Sequence, residues 1–96
     1  MPRVTLTQQA RIEARDARLW LKDRQPRTVE GFRRRVEDAR RMLADFPLAG
    51  RAEIGETRRL PLDPYPYSLV YRTLPDRVSV IAVPHNKQDR RYWLDR

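Results

Sequence analysis

The chain has 96 residues, 40% of them hydrophobic, and its 21 basic and 13 acidic side chains give a net charge of +8. That length suits one domain over residues 1–96, and the absence of cysteine excludes disulfides and thiol chemistry and leaves almost no zinc ligands. No apolar run approaches the roughly 20 residues that cross a bilayer, and Met1 to Thr7 contains no hydrophobic signal segment.

These features predict a soluble cytoplasmic protein that needs no metal or cofactor and does not insert in a membrane. Twelve of the basic residues precede position 51 and nine follow it, so the charge belongs to the whole domain rather than to a tail. Such a surface attracts polyanions.

Arg3 to Leu6 is a β-prone run with Val4 and Leu6 on one face. Thr7 suits the cap of a following helix. In that helix Ala10, Ala14, Ala17 and Leu21 recur at helical spacing, and the small side chains permit a close partner. Ile12 and Leu19 fall off the stripe, either exposed or facing a partner. Pro26 breaks the pattern, and Thr28 is placed to cap a second helix with Glu30 in its first turn.

Val29, Phe32, Val36, Ala39, Leu43 and Phe46 then alternate steps of 3 and 4, which predicts a second amphipathic helix packed antiparallel to the first. Its other face carries Glu30, Arg33, Arg34, Arg35, Glu37, Asp38, Arg40 and Arg41. The pairs Glu30–Arg34 and Glu37–Arg41 read as a solvated, self-compensating surface.

Pro47 ends this helix, and Leu48 to Arg51 reads as a loop. A strand is expected within Ile54 to Leu62, followed by a turn at Asp63 to Pro66. Pro66 to Thr73 and Val78 to His85 flank a short Pro-Asp connection, the signature of a hairpin. Val80 to Val83 is apolar at every position, so both faces of that strand are expected to be covered. The predicted fold is α+β in the order β-α-α-β-β-β. A helical hairpin covers one face of a small antiparallel sheet, and a short basic C-terminal tail or helix follows.

The uncovered face is the place for function. Arg51, Arg58, Arg59, Arg72, His85, Lys87, Arg90, Arg91, Tyr92 and Trp93 are the candidates to line it. Cations interleaved with aromatics suit phosphates and stacked bases, and equally an acidic peptide laid along the sheet. Arg58 and Arg59 are adjacent on a strand, so only one of them faces that side. His85 is the single side chain that titrates near neutrality, and reads either as a general base or as a structural hydrogen-bonding residue. Trp93 reads as an anchor for the tail.

Several stretches in this order resemble the RelE/ParE superfamily of bacterial toxins from type II toxin–antitoxin modules. They include Leu6-Thr7 with Ala10, Pro26, Phe32, Phe46-Pro47-Leu48-Ala49-Gly50-Arg51 and Arg58-Arg59-Leu60. Pro66 to Arg72, Val80 to His85, and Asp89 to Trp93 complete the likeness. The resemblance implies a cytoplasmic toxin that arrests growth and is neutralised by a cognate antitoxin bearing an acidic segment.

RelE-like members are ribosome-dependent mRNA endonucleases that set cations around the scissile phosphate. Two of the positions concerned hold Ser68 and Asn86 here. Under that alternative, with ribosome and mRNA as partners, the catalytic candidates are Arg72, His85, Arg90 and Tyr92. ParE-like members poison DNA gyrase instead and are not enzymes. The strand ending in His85 and the arginine-rich tail with Tyr92 and Trp93 resemble that branch. A degenerate, non-toxic antitoxin-binding domain is a second alternative.

Overall fold

The computed structural model describes residues 3–96. For Met1 and Pro2, the expectation of a domain beginning at residue 1 lies outside the described residues. The chain forms β1 (Arg3–Leu6), α1 (Gln8–Arg24), a 3-10 turn (Pro26–Thr28) and α2 (Val29–Asp45). Four strands follow: β2 (Arg51–Glu53), β3 (Thr57–Pro61), β4 (Ser68–Thr73) and β5 (Arg77–Ala82).

The strands make one sheet in the order β1-β5-β4-β3-β2. The α+β architecture matches the expectation, with two differences. β1 runs parallel to β5, so the sheet is mixed rather than antiparallel. Arg51, expected to close a loop, instead opens an added edge strand, Arg51–Glu53, that pairs antiparallel with β3. Its residues have little strand preference, and main-chain pairing to β3 supplies the order instead. The β2–β3 turn uses left-handed backbone at Gly55 and Glu56, with φ of 73° and 55°.

Local sequence accounts for most of the helical layer. The Thr7 hydroxyl accepts from the Ala10 N–H and caps α1. Ala10, Ala14, Ala17 and Leu21 are all buried, as their spacing predicts. Thr28 does not cap α2. It sits in the 3-10 turn with helical dihedrals, and its hydroxyl donates to the Gln25 carbonyl.

On α2, Phe32, Ala39 and Leu43 are buried, whereas Phe46 lies past the helix end at 66% exposure. The expected i,i+4 ion pairs are replaced by Glu37–Arg40 and Asp38–Arg41, each three residues apart. Arg35 leaves the solvated face altogether and donates to the carbonyls of Pro61 and Asp63, tying α2 to the end of β3.

Alternation assigns the two faces of the sheet. Val4, Leu60, Leu69, Tyr71, Val78 and Val80 point back into the helices and form the main core. Val70, Ile81 and Ala82 belong to a second cluster on the front. A register shift at Val70/Tyr71 lets Val70 pair with Ala82 while Tyr71 pairs with Val80. Val80 to Val83 is buried throughout, as an uninterrupted apolar strand requires.

Tyr71 fastens the α2–β2 connection. Its buried hydroxyl donates to the Pro47 carbonyl and accepts from the Gly50 N–H, both at 2.8 Å. Burial pushes its phenol above the ordinary tyrosine pKa. Gly50 has no room for a side chain, because a Cβ there would lie 2.8 Å from both the Arg59 carbonyl and the Tyr71 hydroxyl. Tyr71→Phe leaves the buried Gly50 N–H and the half-buried Pro47 carbonyl without this partner and should cost about 1–3 kcal/mol in a denaturant titration. Gly50→Ala should cost about 1–3 kcal/mol by overpacking the same spot.

Candidate functional site

The front of the sheet is built from the residues that alternate away from the core. On β3, Arg58 pairs with Tyr71 and so shares the helix side, while Arg59 pairs with Val70 and faces the front. Arg58 spends its guanidinium on the Gly50 and Leu48 carbonyls behind the sheet. Its proposed place on the front is therefore corrected: of the two arginines, Arg59 holds that position.

Arg59 is only 8% exposed. A guanidinium so buried must be paired. Its Nε contacts Glu53 at 3.1 Å, one terminal nitrogen meets Asp89, and the other reaches Asn86. The Asp89 and Glu53 side chains are themselves nearly buried. The Asn86 carbonyl oxygen also accepts from the Ser68 hydroxyl at 2.7 Å. Ser68 and Asn86, which stand where the endonuclease branch carries cations, are thus hydrogen-bonded to each other above an arginine paired with two carboxylates.

These groups line a cleft of about 440 Å³ together with Arg51, Pro61, Asp63 and Arg91. Its cations Arg51, Arg59 and Arg91 face the carboxylates Glu53, Asp63 and Asp89. Arg51 is itself 3.4 Å from Glu53. The cleft is polar but close to charge-balanced.

The tail closes the rest of the front. Trp93, 1% exposed, packs on Val70, Ile81 and Ala82, with the Arg59 guanidinium 5.1 Å from its ring centre. The anchor reading of Trp93 agrees with this position, which leaves no ring face for base stacking. No tail helix forms; the residues around Trp93 make a turn, closed by the Leu94 N–H on the Arg91 carbonyl. Tail and body are laced by charged hydrogen bonds. Arg72 donates to the Arg96 and Gly55 carbonyls, and Arg96 donates to the Ile81 carbonyl.

Glu13 on α1 is the hub of this lacing. It accepts from the Val83 N–H and the Tyr92 hydroxyl, and pairs with Arg96 at 2.6 Å. Burial, and then the Glu13 carboxylate, raise the Tyr92 phenol well above the ordinary tyrosine range.

The candidate residues therefore do not converge as one set. Arg51, Arg59 and Arg91 share the cleft, Arg72 holds the chain end, and Lys87 and Arg90 are exposed on the tail. His85 sits at the sheet margin, bridged to Tyr67 and in edge contact with Trp20 and Tyr67. Its Nδ1 accepts from the Lys87 N–H. Sequence reasoning missed Glu53 and Glu13. The one available signal for Glu13 was a lone acid among the arginines that open α1; Glu53 gave none, because its pairing with Arg59 depends on an edge strand that its own residues do not announce.

The model of the family described as "ParE toxin of type II toxin-antitoxin system, parDE" matches residues 4–90. No curated protein matches the chain in sequence. Among solved structures, one described as the chromosomal ParDE TA system from P. aeruginosa superposes with a TM-score of 0.78 at 17% identity. That match covers 88% of this chain and 96% of the other. At that identity the likeness is one of fold.

Asp89→Ala strands the buried Arg59 charge and should lower unfolding free energy by about 3–5 kcal/mol, with Arg59→Met in the same chain recovering much of it. The raised Tyr92 pKa means that the fold favours the neutral phenol. That contribution is whole below the unfolded value of about 10 and is lost as pH climbs through the higher folded value. In an absorbance titration Tyr92 should ionise above the usual tyrosine range, and Glu13→Gln should lower its midpoint.

Proposed function

The chain belongs to the ParE toxin family of type II toxin–antitoxin systems, and from that premise we propose that it acts by inhibiting DNA gyrase, restrained by a cognate antitoxin. The observation that favours this target over mRNA cleavage is that the one buried cation of the front cleft, Arg59, is already paired with two carboxylates. Cleaving a phosphodiester without a metal needs free donors aimed at the charge that develops on the phosphate. Arg59 already serves Glu53 and Asp89, and Ser68 and Asn86 serve each other. A phosphate entering there meets three carboxylates as well as three guanidiniums. The other endonuclease candidates are dispersed: Arg72 on the chain end, Tyr92 on Glu13, His85 at the margin beside Trp20.

An antitoxin with an acidic segment fits a domain of net charge +8 that also exposes Ile12, Leu19, Phe46 and Leu48. Such a surface is a liability unless covered, and a disordered segment that folds on it and is later degraded supplies a reversible mask.

The purified chain should block supercoiling of relaxed plasmid by gyrase, and adding the antitoxin encoded by the adjacent reading frame should restore it. Uninhibited supercoiling, with codon-positioned cuts in translated message, would overturn the proposal. Toxin–antitoxin affinity should fall as salt rises.

A further inference from the structure

The sheet margin beside the end of α1 holds a cluster separate from the front cleft. Trp20 of α1, Tyr67 ahead of β4 and His85 beyond β5 meet edge to face. Their ring centres are 6.4 Å apart for Trp20–Tyr67, 5.8 Å for Trp20–His85 and 5.1 Å for Tyr67–His85. A backbone bridge ties Tyr67 to His85, and Phe32 backs Tyr67 from the core at 5.6 Å. Tyr67 is 6% exposed and Trp20 37%, so the cluster runs from the core to the surface. Arg24, one helical turn beyond Trp20, lies with its guanidinium carbon 4.4 Å from the centre of that ring.

The polar groups of this cluster are donors, and they are largely unspent. The His85 Nδ1 accepts from the Lys87 N–H, so in the neutral ring the proton sits on Nε2. The Tyr67 hydroxyl has no hydrogen-bond partner among the described residues, unlike those of Tyr71 and Tyr92. The one fully buried side-chain donor without a partner there is the Trp93 indole N–H, so the Tyr67 hydroxyl opens to solvent at the end of its buried ring. Burial raises the Tyr67 phenol above its ordinary pKa, and the Arg24 guanidinium draws it partly back, as a cation beside the hydroxyl does. The one ion pair of the cluster joins Arg24 to its neighbour Asp23 at 3.6 Å, with both side chains mostly exposed, so it is weak. Lys87 makes none among the described residues. The front cleft has the opposite character, with a carboxylate for each guanidinium.

We propose that this margin is where the antitoxin's acidic segment anchors, with one of its carboxylates on Arg24, Tyr67 and His85 and an apolar side chain against the rim of Trp20. The inference rests on the toxin–antitoxin reading and adds to it the residues that grip the segment. A carboxylate is an acceptor alone and takes several N–H and O–H groups at once, which is what the margin offers. A purely apolar partner would cover the hydroxyl and the imidazole and leave them unpaired. Nucleic acid fits less well. The most exposed ring, Trp20, already carries a guanidinium over one face, which removes that platform for a base. Only Arg24 and Lys87 supply fixed cations, too few for a row of phosphates. Tryptophan, tyrosine and arginine over a buried base are also the composition of binding hot spots between proteins. The buried Tyr67 ring holds its hydroxyl in place before the partner arrives, so little freedom is lost on docking.

Titration calorimetry of the full-length chain with the antitoxin from the adjacent reading frame tests this. Arg24→Gln with Tyr67→Phe should weaken binding about 10- to 100-fold, one charged and one neutral hydrogen bond being lost. Tyr67→Phe keeps the ring, and thermal melts report whether the double variant remains folded. Arg34→Gln, an equal loss of charge on the solvated face of α2, should leave the affinity unchanged. Saturating antitoxin should shift the tryptophan emission, and Trp20→Phe should abolish that shift because Trp93 is already buried. Full affinity in the folded Arg24/Tyr67 variant overturns the proposal. So does a shift that survives Trp20→Phe, or a Trp20 response to duplex DNA and not to the antitoxin. Absence of any binding by the unaltered chain would instead overturn the toxin–antitoxin reading, and this inference with it.

Discussion

A buried guanidinium organises the front of this protein. Arg59 is withdrawn from water in the middle of β3, and the desolvation it suffers is offset only because Glu53 and Asp89 meet it on two sides. Glu53 belongs to the short edge strand and Asp89 to the tail, so one charge fixes both. With Asp89 held, the chain turns and delivers Trp93 onto Val70, Ile81 and Ala82. The same contact determines what the cleft can do. A cation that is already neutralised does not stabilise a developing negative charge, and the two positions beside it are occupied by Ser68 and Asn86.

The helix pair and the tail thus cover the two faces of one sheet by different means. Behind, alanines, leucines and Phe32 pack against the sheet chiefly by apolar area, with polar ties from Arg35 and Tyr71 at the margins. In front, one indole is seated by a ring of polar ties that converge on Glu13, so α1 is joined to the far side of the sheet through Val83, Tyr92 and Arg96. The front is held by charge pairing where the back is held by apolar burial.

The regular parts of this architecture were legible because they are local. The alanine stripe, the α2 heptad-like pattern, the Thr7 cap and the hairpin each depend on neighbours within about four residues or on strict alternation. The failures share the opposite character. Arg51–Glu53 is a strand only because β3 lies beside it. Thr28 stands at the cap position, but the 3-10 turn opened by Pro26 holds it in helical dihedrals and its hydroxyl donates back to the Gln25 carbonyl instead of capping α2. Arg58 and Arg59 are indistinguishable as letters, and register decides that one grips a loop behind while the other is paired in front. An open cationic front was expected because the tally of arginines was visible and their carboxylate partners, thirty residues away in the case of Asp89, were not.

The account rests on self-neutralisation of the front cleft and on a target that is not message. Pulsed expression in growing bacteria, with the DNA-damage response and the integrity of translated mRNA read in the same culture, tests it most directly. The account predicts an early damage response with intact message. Rapid cleavage of message without a damage response would contradict it.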